Sequence, residues 1–452
     1  MTAPVTPPTR RGICPALTAP MATGDGLLVR LVPADGWLTL DQMKGLADAA
    51  RAHGNGIIEI TAKGSVQLRG LTEQSVGPLN AAVNALGITP RTGLPVDVSP
   101  LSGIDAQEVV DARLLAARLH DMAADLLPRL GAKVSVVVDG GGALSLDAFK
   151  TDVRLVARPM KGAQTKGEKT WDVWLAGDAA RALPFGAARG RDAPELVRSL
   201  LERLAALGPS ARMADALPPA PAVPPRPMRE ASPIGLFALK DGTFACGVGL
   251  PFGALHADDL DVLAAAARTA GARDLRPAPD HGLLATGLTP QAADGFRATA
   301  QALGCLISVD DPRRFVAACP GAPACASAHI PARALAPQVA QALAEVLDGS
   351  LSVHVSACTK GCAHPAPAHL TLVGLAADAM DNRVALVREG RAGDATRPLL
   401  AAEALIPALA RLGGALAAAR RPGESAGETL ARLPPAALEP FLLESAVLEF
   451  TR

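Results

Sequence analysis

Tyrosine is absent from this chain, and nine phenylalanines with three tryptophans make up its aromatic complement. Platforms that stack the successive bases of a single strand are therefore not available in quantity. Excess charge is missing too. The 44 Lys and Arg residues are matched by 44 Asp and Glu, so no global basic field exists to hold nucleic acid or an anionic membrane, and any anionic ligand must be met by local cations. The opening MTAPVTPPTRRGICPALTAP lacks the apolar core of a signal peptide, and no later run has the uninterrupted apolar length of a membrane span. The expectation is a cytoplasmic protein with no nucleic-acid or membrane partner. Cysteine is sparse and odd in number, seven in all, yet four of the seven crowd between 319 and 362. That distribution suits a reducing compartment and a metal better than a disulfide framework. Cys14, Cys246 and Cys305 stand alone and read as small buried hydrophobes.

What the chain does contain is repetition. Gly36-Trp37-Leu38 returns as Gly253-Ala254-Leu255, Gly54 as Gly271, Gly70-Leu71-Thr72 as Gly287-Leu288-Thr289, and Ala85-Leu86-Gly87 as Ala302-Leu303-Gly304, each pair 217 residues apart. A constant offset carried by glycines indicates duplication. Between the copies the proline-rich ADALPPAPAVPPRPMREASP, residues 214 to 233, reads as an extended linker. In the first copy GLLVRLV predicts a strand, LDQMKGLADAARAH a helix, IIEIT and VQLRG short strands, and Thr72 the cap of a second helix. This order is the split β-α-β ferredoxin-like pattern, and the second copy repeats it from Phe244 to Leu303. A larger α/β segment follows each unit. In the first half it should contain a helix at 107 to 126, strands at 133 to 138 and 153 to 157, and a helix from 193 to 206. The predicted class is α+β, with two ferredoxin-like half-domains (12–100 and 233–310), two larger α/β domains (101–213 and 311–452) and a linker (214–232), in pseudo-twofold pairs.

The chemistry lies in C-x5-C at Cys319 and Cys325, followed by C-x3-C at Cys358 and Cys362. Four thiolates supply one terminal ligand to each iron of a 4Fe-4S cubane, and soft sulfur spreads the charge of a one-electron change. Structural zinc is the competing reading, but zinc knuckles favour closer pairs than C-x5-C. FVAAC and LSVHVSAC are short apolar runs, so strand ends should present the first cysteine of each pair. The matching stretches of the first copy, VDVSPLSG and KVSVVVDGG, have no cysteine, so that copy should hold no cluster.

On these pairs, and on ITAKGSVQLRGL with its basic Lys63, the chain resembles the nitrite and sulfite reductase family over nearly its whole length. Several of that family's cations are replaced here. Leu94 stands where an arginine is usual, Ser135 where a second lysine beside Lys133 is expected, and Thr359-Lys360 where Pro-Asn is common. A small oxyanion substrate would be poorly supported by so thin a set. CTKGCAHP and RRGICPALTAPMATGDGLLVRL are instead similar to the precorrin-3B synthase branch.

That branch implies an O2-dependent monooxygenase of cobalamin biosynthesis acting on a tetrapyrrole, precorrin-3A, with a 4Fe-4S cluster and a mononuclear non-heme iron. The alternative, a siroheme-dependent sulfite or nitrite reductase, implies siroheme. His354 and His364 are the candidate iron ligands, His329 and His369 lie in the same segment, and Asp25 and Asp97 are possible carboxylate partners. The substrate's acetates and propionates call for cations, and Lys63, Arg69, Arg91 and Lys133 are the candidates. No nicotinamide site is legible, because Pro251 interrupts the glycine-rich GVGLPFG, so electrons should come from a separate reductase.

Overall fold

The computed structural model describes residues 15–158, 169–218, 224–229, 231–376, 383–395 and 400–443. These form two compact units. One contains residues 28–248 and 255–303 with the segment up to Met21, and the other contains Ala22–Leu27, Gly249–Ala254 and the chain from Gly304 onward.

The first copy runs β1 (Met21–Thr23), β2 (Gly26–Leu31), α1 (Leu40–His53), β3 (Ile57–Ile60), β4 (Val66–Leu71) and α2 (Glu73–Ala85). Both helices begin at threonines. Thr39 Oγ1 accepts from Gln42 N at 3.0 Å while Gln42 Oε1 accepts from Thr39 N, and Thr72 with Ser75 makes the same reciprocal cap. Next come β5 (Val96–Asp97), α3 (Arg113–Met122), β6 (Val136–Asp139), β7 (Thr151–Ala157), β8 (Thr170–Gly177), β9 (Leu183–Arg189) and α4 (Ala193–Leu207). They make a sheet ordered β5-β6-β7-β8-β9, parallel from β5 to β7 and antiparallel beyond. The helix expected from 107 starts only at Arg113. The reason is local, since Asp105 accepts from Gln107 N, Glu108 from Gly103 N and Asp111 from Arg113 N, and these side-chain acceptors hold the backbone in turns. Leu94 is buried in this domain's core, and Ser135 is buried with its hydroxyl beside Thr151 Oγ1 and its amide donated to Asp152.

The second copy follows as β10 (Gly235–Ala238), β11 (Phe244–Gly249), β12 (Ala254–His256), α5 (Ala257–Thr269), β13 (Leu275–Ala278), β14 (Gly282–Leu288) and α6 (Pro290–Ala302). Its helices start at the positions that the repeat offset dictates from α1 and α2. The glycines that carry the repeat do so for a backbone reason: Gly36 and Gly253 have φ of +78° and +76°, and Gly70 and Gly287 have +68° and +85°.

Helices α1 and α5 pack through equivalent stripes, Met43, Leu46, Ala47 and Ala50 on one and Leu260, Leu263, Ala264 and Ala267 on the other. Arg51 pairs with Asp258 at 2.9 Å, and reciprocally Arg268 pairs with Asp41. Residue i meeting j while j meets i is the mark of a local twofold relation. The strand ends repeat it, Leu38 bridging Leu275 of β13 while β12, which carries the equivalent Leu255, lies beside β3. The duplicated α+β architecture is therefore present.

The other unit holds β15 (Val316–Ala318), α7 (Ala332–Ala342), β16 (Val353–Ser356), β17 (Ala368–Leu375), β18 (Arg383–Gly390), β19 (Leu400–Ala401), α8 (Leu405–Ala419), α9 (Ala426–Arg432) and α10 (Pro435–Leu443). Its sheet, β15-β16-β17-β18-β19, has the same parallel start and antiparallel finish as the first. Contrary to the sequence expectation, one helical stretch, Ala402–Ala419, is long and apolar enough by composition to cross a membrane. Leu405, Leu409, Leu412 and Leu416 on it are instead buried in this unit's core, which explains the apolar run.

Candidate iron-sulfur centre

Strands β15 and β16 lie parallel, pairing Val316 with Val353 and Ala318 with Val355. Val316, Val353 and Val355 are inward residues of one core, so both strands are fixed and end at the same edge, where open α/β sheets present ligand sites. Cys319 directly follows β15, and Cys358 comes two residues after β16. The loops are tied to one another. Ala357 N donates to Cys319 Sγ at 3.2 Å, His329 N to Ala357 O at 2.8 Å, and Lys360 Nζ to Ser327 Oγ at 2.8 Å. Cys325 N donates to Gly321 O, closing the five-residue gap into a turn. Burial pushes the Cys319 thiol above its ordinary pKa, the amides of Ala357 and Gly321 pull it back, and the neighbouring Cys358 and Cys362 sulfurs push it up again. Cys358 and Cys362 thus lie near enough to act on the Cys319 sulfur. Cys319 is buried, Cys325 and Cys358 are half-buried and Cys362 is exposed.

Among the described residues no three His, Cys, Asp or Glu side chains meet closely enough to chelate a single ion. A cubane takes one sulfur at each iron corner, and four thiolates on two tethered loops, with the Ala357 amide aimed at Cys319 Sγ, are a donor set that suits it.

The first copy, without the cysteine pairs, shows what the same framework does without sulfur. There Val96 pairs with Val136, and Val109 N donates to Gly140 O, repeating the Val316–Val353 pair and the bond from His329 to Ala357. The strand register then sets Ser99, Asp105, Gly141 and Ser145 at the places of the four cysteines. Asp105 closes that space, its carboxylate accepting from Ala143 N at 2.6 Å and Gln107 N at 2.8 Å.

A residue that sequence reasoning missed is Gly24. A Cβ there would stand 2.2 Å from Cys325 Sγ, and Gly24 O accepts from Ala326 N. Gly24→Ala should displace the Cys325 loop and lower acid-labile sulfide per chain by about half or more, measured on anaerobically purified protein.

Of the candidate iron ligands, His354 lies on β16 and is fully buried, and neither ring nitrogen has a hydrogen-bond partner among the described residues. Desolvation, with a smaller push from His364, lowers its pKa to about 4, so the ring is neutral at physiological pH. His364 lies 5.7 Å away between ring centroids and donates Nδ1–H to Ala366 O, which leaves Nε2 as a lone pair. His369 is engaged differently, its Nδ1 taking the Ser352 amide. Asp25 accepts from Thr23 Oγ1 within a turn, and Asp97 is held by Arg91 at 2.7 Å. Among the described residues no third His, Cys, Asp or Glu joins the two imidazoles in a chelating group.

The candidate substrate cations fall into separate groups. Lys63 Nζ stands 3.9 Å from Asp97 and 4.9 Å above the Phe149 ring, so it shares Asp97 with Arg91. Arg69 is nearly buried and pairs with Glu59 at 3.4 Å. Lys133 is exposed ahead of β6, at the strand's N-terminal end. Cys246 and Cys305 are buried, as expected for lone thiols, and Cys14 lies outside the described residues.

Two duplicated halves, each with a ferredoxin-like unit and an α/β sheet, define a nitrite/sulfite reductase-like fold. The family model "Nitrite/Sulfite reductase ferredoxin-like half domain" matches residues 19–86. The solved structure of the Mycobacterium tuberculosis NirA protein superposes with a TM-score of 0.66 over 92% of this chain and 84% of that one, at 19% identity. The chain is 38% identical over 440 residues to precorrin-3B synthase from a Sinorhizobium species, covering 94% of this chain and 93% of that protein, and it belongs to the precorrin-3B synthase family. Relations to reductases are more distant. The sulfite reductase [NADPH] hemoprotein beta-component of Myxococcus xanthus is 30% identical over 37% of this chain and 32% of its own length. The ferredoxin–nitrite reductase of Synechococcus elongatus is 25% identical over 77% of this chain and 76% of its own.

Proposed function

We propose that this chain is the iron-sulfur monooxygenase that converts precorrin-3A to precorrin-3B in aerobic cobalamin biosynthesis. The supporting observation is the pair of cysteine loops at the ends of β15 and β16, in a chain that matches a precorrin-3B synthase from end to end. One oxygen atom of O2 enters the macrocycle at a meso carbon, and the ring-A acetate closes to a lactone. The other atom leaves as water, with electrons from a separate reductase and protons from solvent. When bound, the 4Fe-4S cluster and a mononuclear iron supply the single-electron chemistry that triplet dioxygen needs against a closed-shell tetrapyrrole.

The chain's own residues do the rest. Cys319, Cys325, Cys358 and Cys362 hold the cluster, while the neutral imidazole of His354 and the Nε2 side of His364 face the iron as ligands. Lys63 and Arg91, already gathered on one carboxylate, present cations to the substrate's acetates and propionates. Arg69, committed to Glu59, acts behind them, and Lys133 contributes from the surface.

Anaerobic purification followed by iron and sulfide analysis, EPR and turnover of precorrin-3A under oxygen tests this reading. The expected outcome is iron in excess of sulfide, a reducible cluster signal and oxygen-dependent product. Intense siroheme bands in the purified protein would replace it with the reductase reading.

A further inference from the structure

Lys360 sits inside C-x3-C, on a stretch where Thr359, Lys360, Cys362 and Ala363 are all exposed. Its root is fixed. Gly361 takes φ +61° and a Cβ there would already be 3.3 Å from Ala392 Cβ, so the loop rests on the turn after β18 with little freedom to move. The ammonium reaches across to the other cysteine loop, and its hydrogen-bond partner among the described residues is a neutral hydroxyl, Ser327 Oγ. Other lysines are placed differently: Lys44, Lys63 and Lys240 each lie within 4.0 Å of a carboxylate. In the first copy the corresponding loop has Ala143, whose amide is already taken by Asp105. A cation at this place is therefore peculiar to the copy that carries the cysteines.

We propose that Lys360 is a substrate-anchoring residue, holding a carboxylate of a polycarboxylate tetrapyrrole at the exposed edge of the cysteine site, with Ser327 as its resting partner. Exchanging a neutral hydroxyl for a carboxylate turns an ion–neutral hydrogen bond into a hydrogen-bonded ion pair, while the four-carbon stem keeps the reach to follow the ligand. Lys360 thereby supplies, within the unit that carries the cysteine pairs, a cation for one carboxylate beside Cys362. This inference rests on the proposed reading that the ligand is a tetrapyrrole.

The test is equilibrium binding of sirohydrochlorin, a stable octacarboxylate, to cluster-loaded full-length protein, followed by its absorbance. Lys360→Met should loosen Kd about tenfold at low salt and much less at high salt, as the loss of one charge-assisted bond on an exposed loop requires. Lys360→Arg should stay within about threefold of wild type, and Ser327→Ala should bind as well as wild type or better. The cluster's EPR signal and midpoint potential should be the same in all four proteins. Equal Kd in wild type and Lys360→Met overturns this inference alone. Equal losses in Lys360→Met and Ser327→Ala, with a shifted potential, also overturn it and make the contact a structural clasp. Wild-type protein that takes up a cluster but ignores sirohydrochlorin removes the tetrapyrrole reading together with this one.

Discussion

Cys319→Ala should purify without acid-labile sulfide, lose the reducible EPR signal and turn over precorrin-3A at less than about one hundredth of the wild-type rate. The effect is large because Cys319 is the buried member of the set and the one to which the second loop is bonded: removing its sulfur also strands the Ala357 amide. Cluster ligation also opposes the burial that raises the thiol's pKa, since an iron-bound cysteine is deprotonated outright. Two internal controls separate ligation from packing. Cys246 is buried like Cys319, burial pushes its thiol up to about 12, and its sulfur lies 4.0 Å from Ala293 O. Cys305 is likewise enclosed. Cys246→Ala and Cys305→Ala should cost about 1 kcal/mol of stability each and leave iron, sulfide and turnover at wild-type levels. A Cys319→Ala protein that keeps its sulfide would overturn the cluster assignment.

The contrast between these cysteines was legible in the sequence because spacing is local information. So were α1 and α2, whose capping threonines and apolar stripes lie within a few residues of one another. The start of α3 was not, since the turns that delay it depend on Glu108 folding back onto Gly103 and Ser102. Strands β8 and β9 also escaped. LPFGAAR has weak strand propensity, and its pairing with TWDVWLAG supplies the order.

At the site, the cysteine pairs could be read from their spacing, but the role of Gly24 could not. That residue meets Cys325 from the far end of the chain, and nothing in TGDG signals the partner. The substrate cations were chosen by type and position alone. The structure distinguishes them by what they already hold, with Arg69 committed to Glu59 and Lys63 sharing Asp97 with Arg91.

His354→Leu carries the second large effect, and it pulls stability and activity in opposite directions. In VHVS the histidine occupies a strand position that is buried on both sheet faces, between Ala317 and Thr371. A buried imidazole with neither nitrogen bonded to a described residue costs roughly 1–3 kcal/mol relative to an apolar side chain of similar size. Leucine removes that cost, so the metal-free His354→Leu protein should melt at a higher temperature than metal-free wild type. A chain that keeps a destabilising side chain has a use for it, and the use proposed above is iron ligation beside His364. The same variant should therefore retain sulfide and the cluster EPR signal, lose the iron that exceeds sulfide, and turn over precorrin-3A at least about a hundredfold more slowly. His369→Leu makes the comparison sharp, because its Nδ1 serves the Ser352 amide. That substitution should destabilise the protein while leaving the excess iron in place. If His354→Leu lowers the melting temperature and keeps both iron and turnover, the histidine is structural and the mononuclear iron must be sought elsewhere.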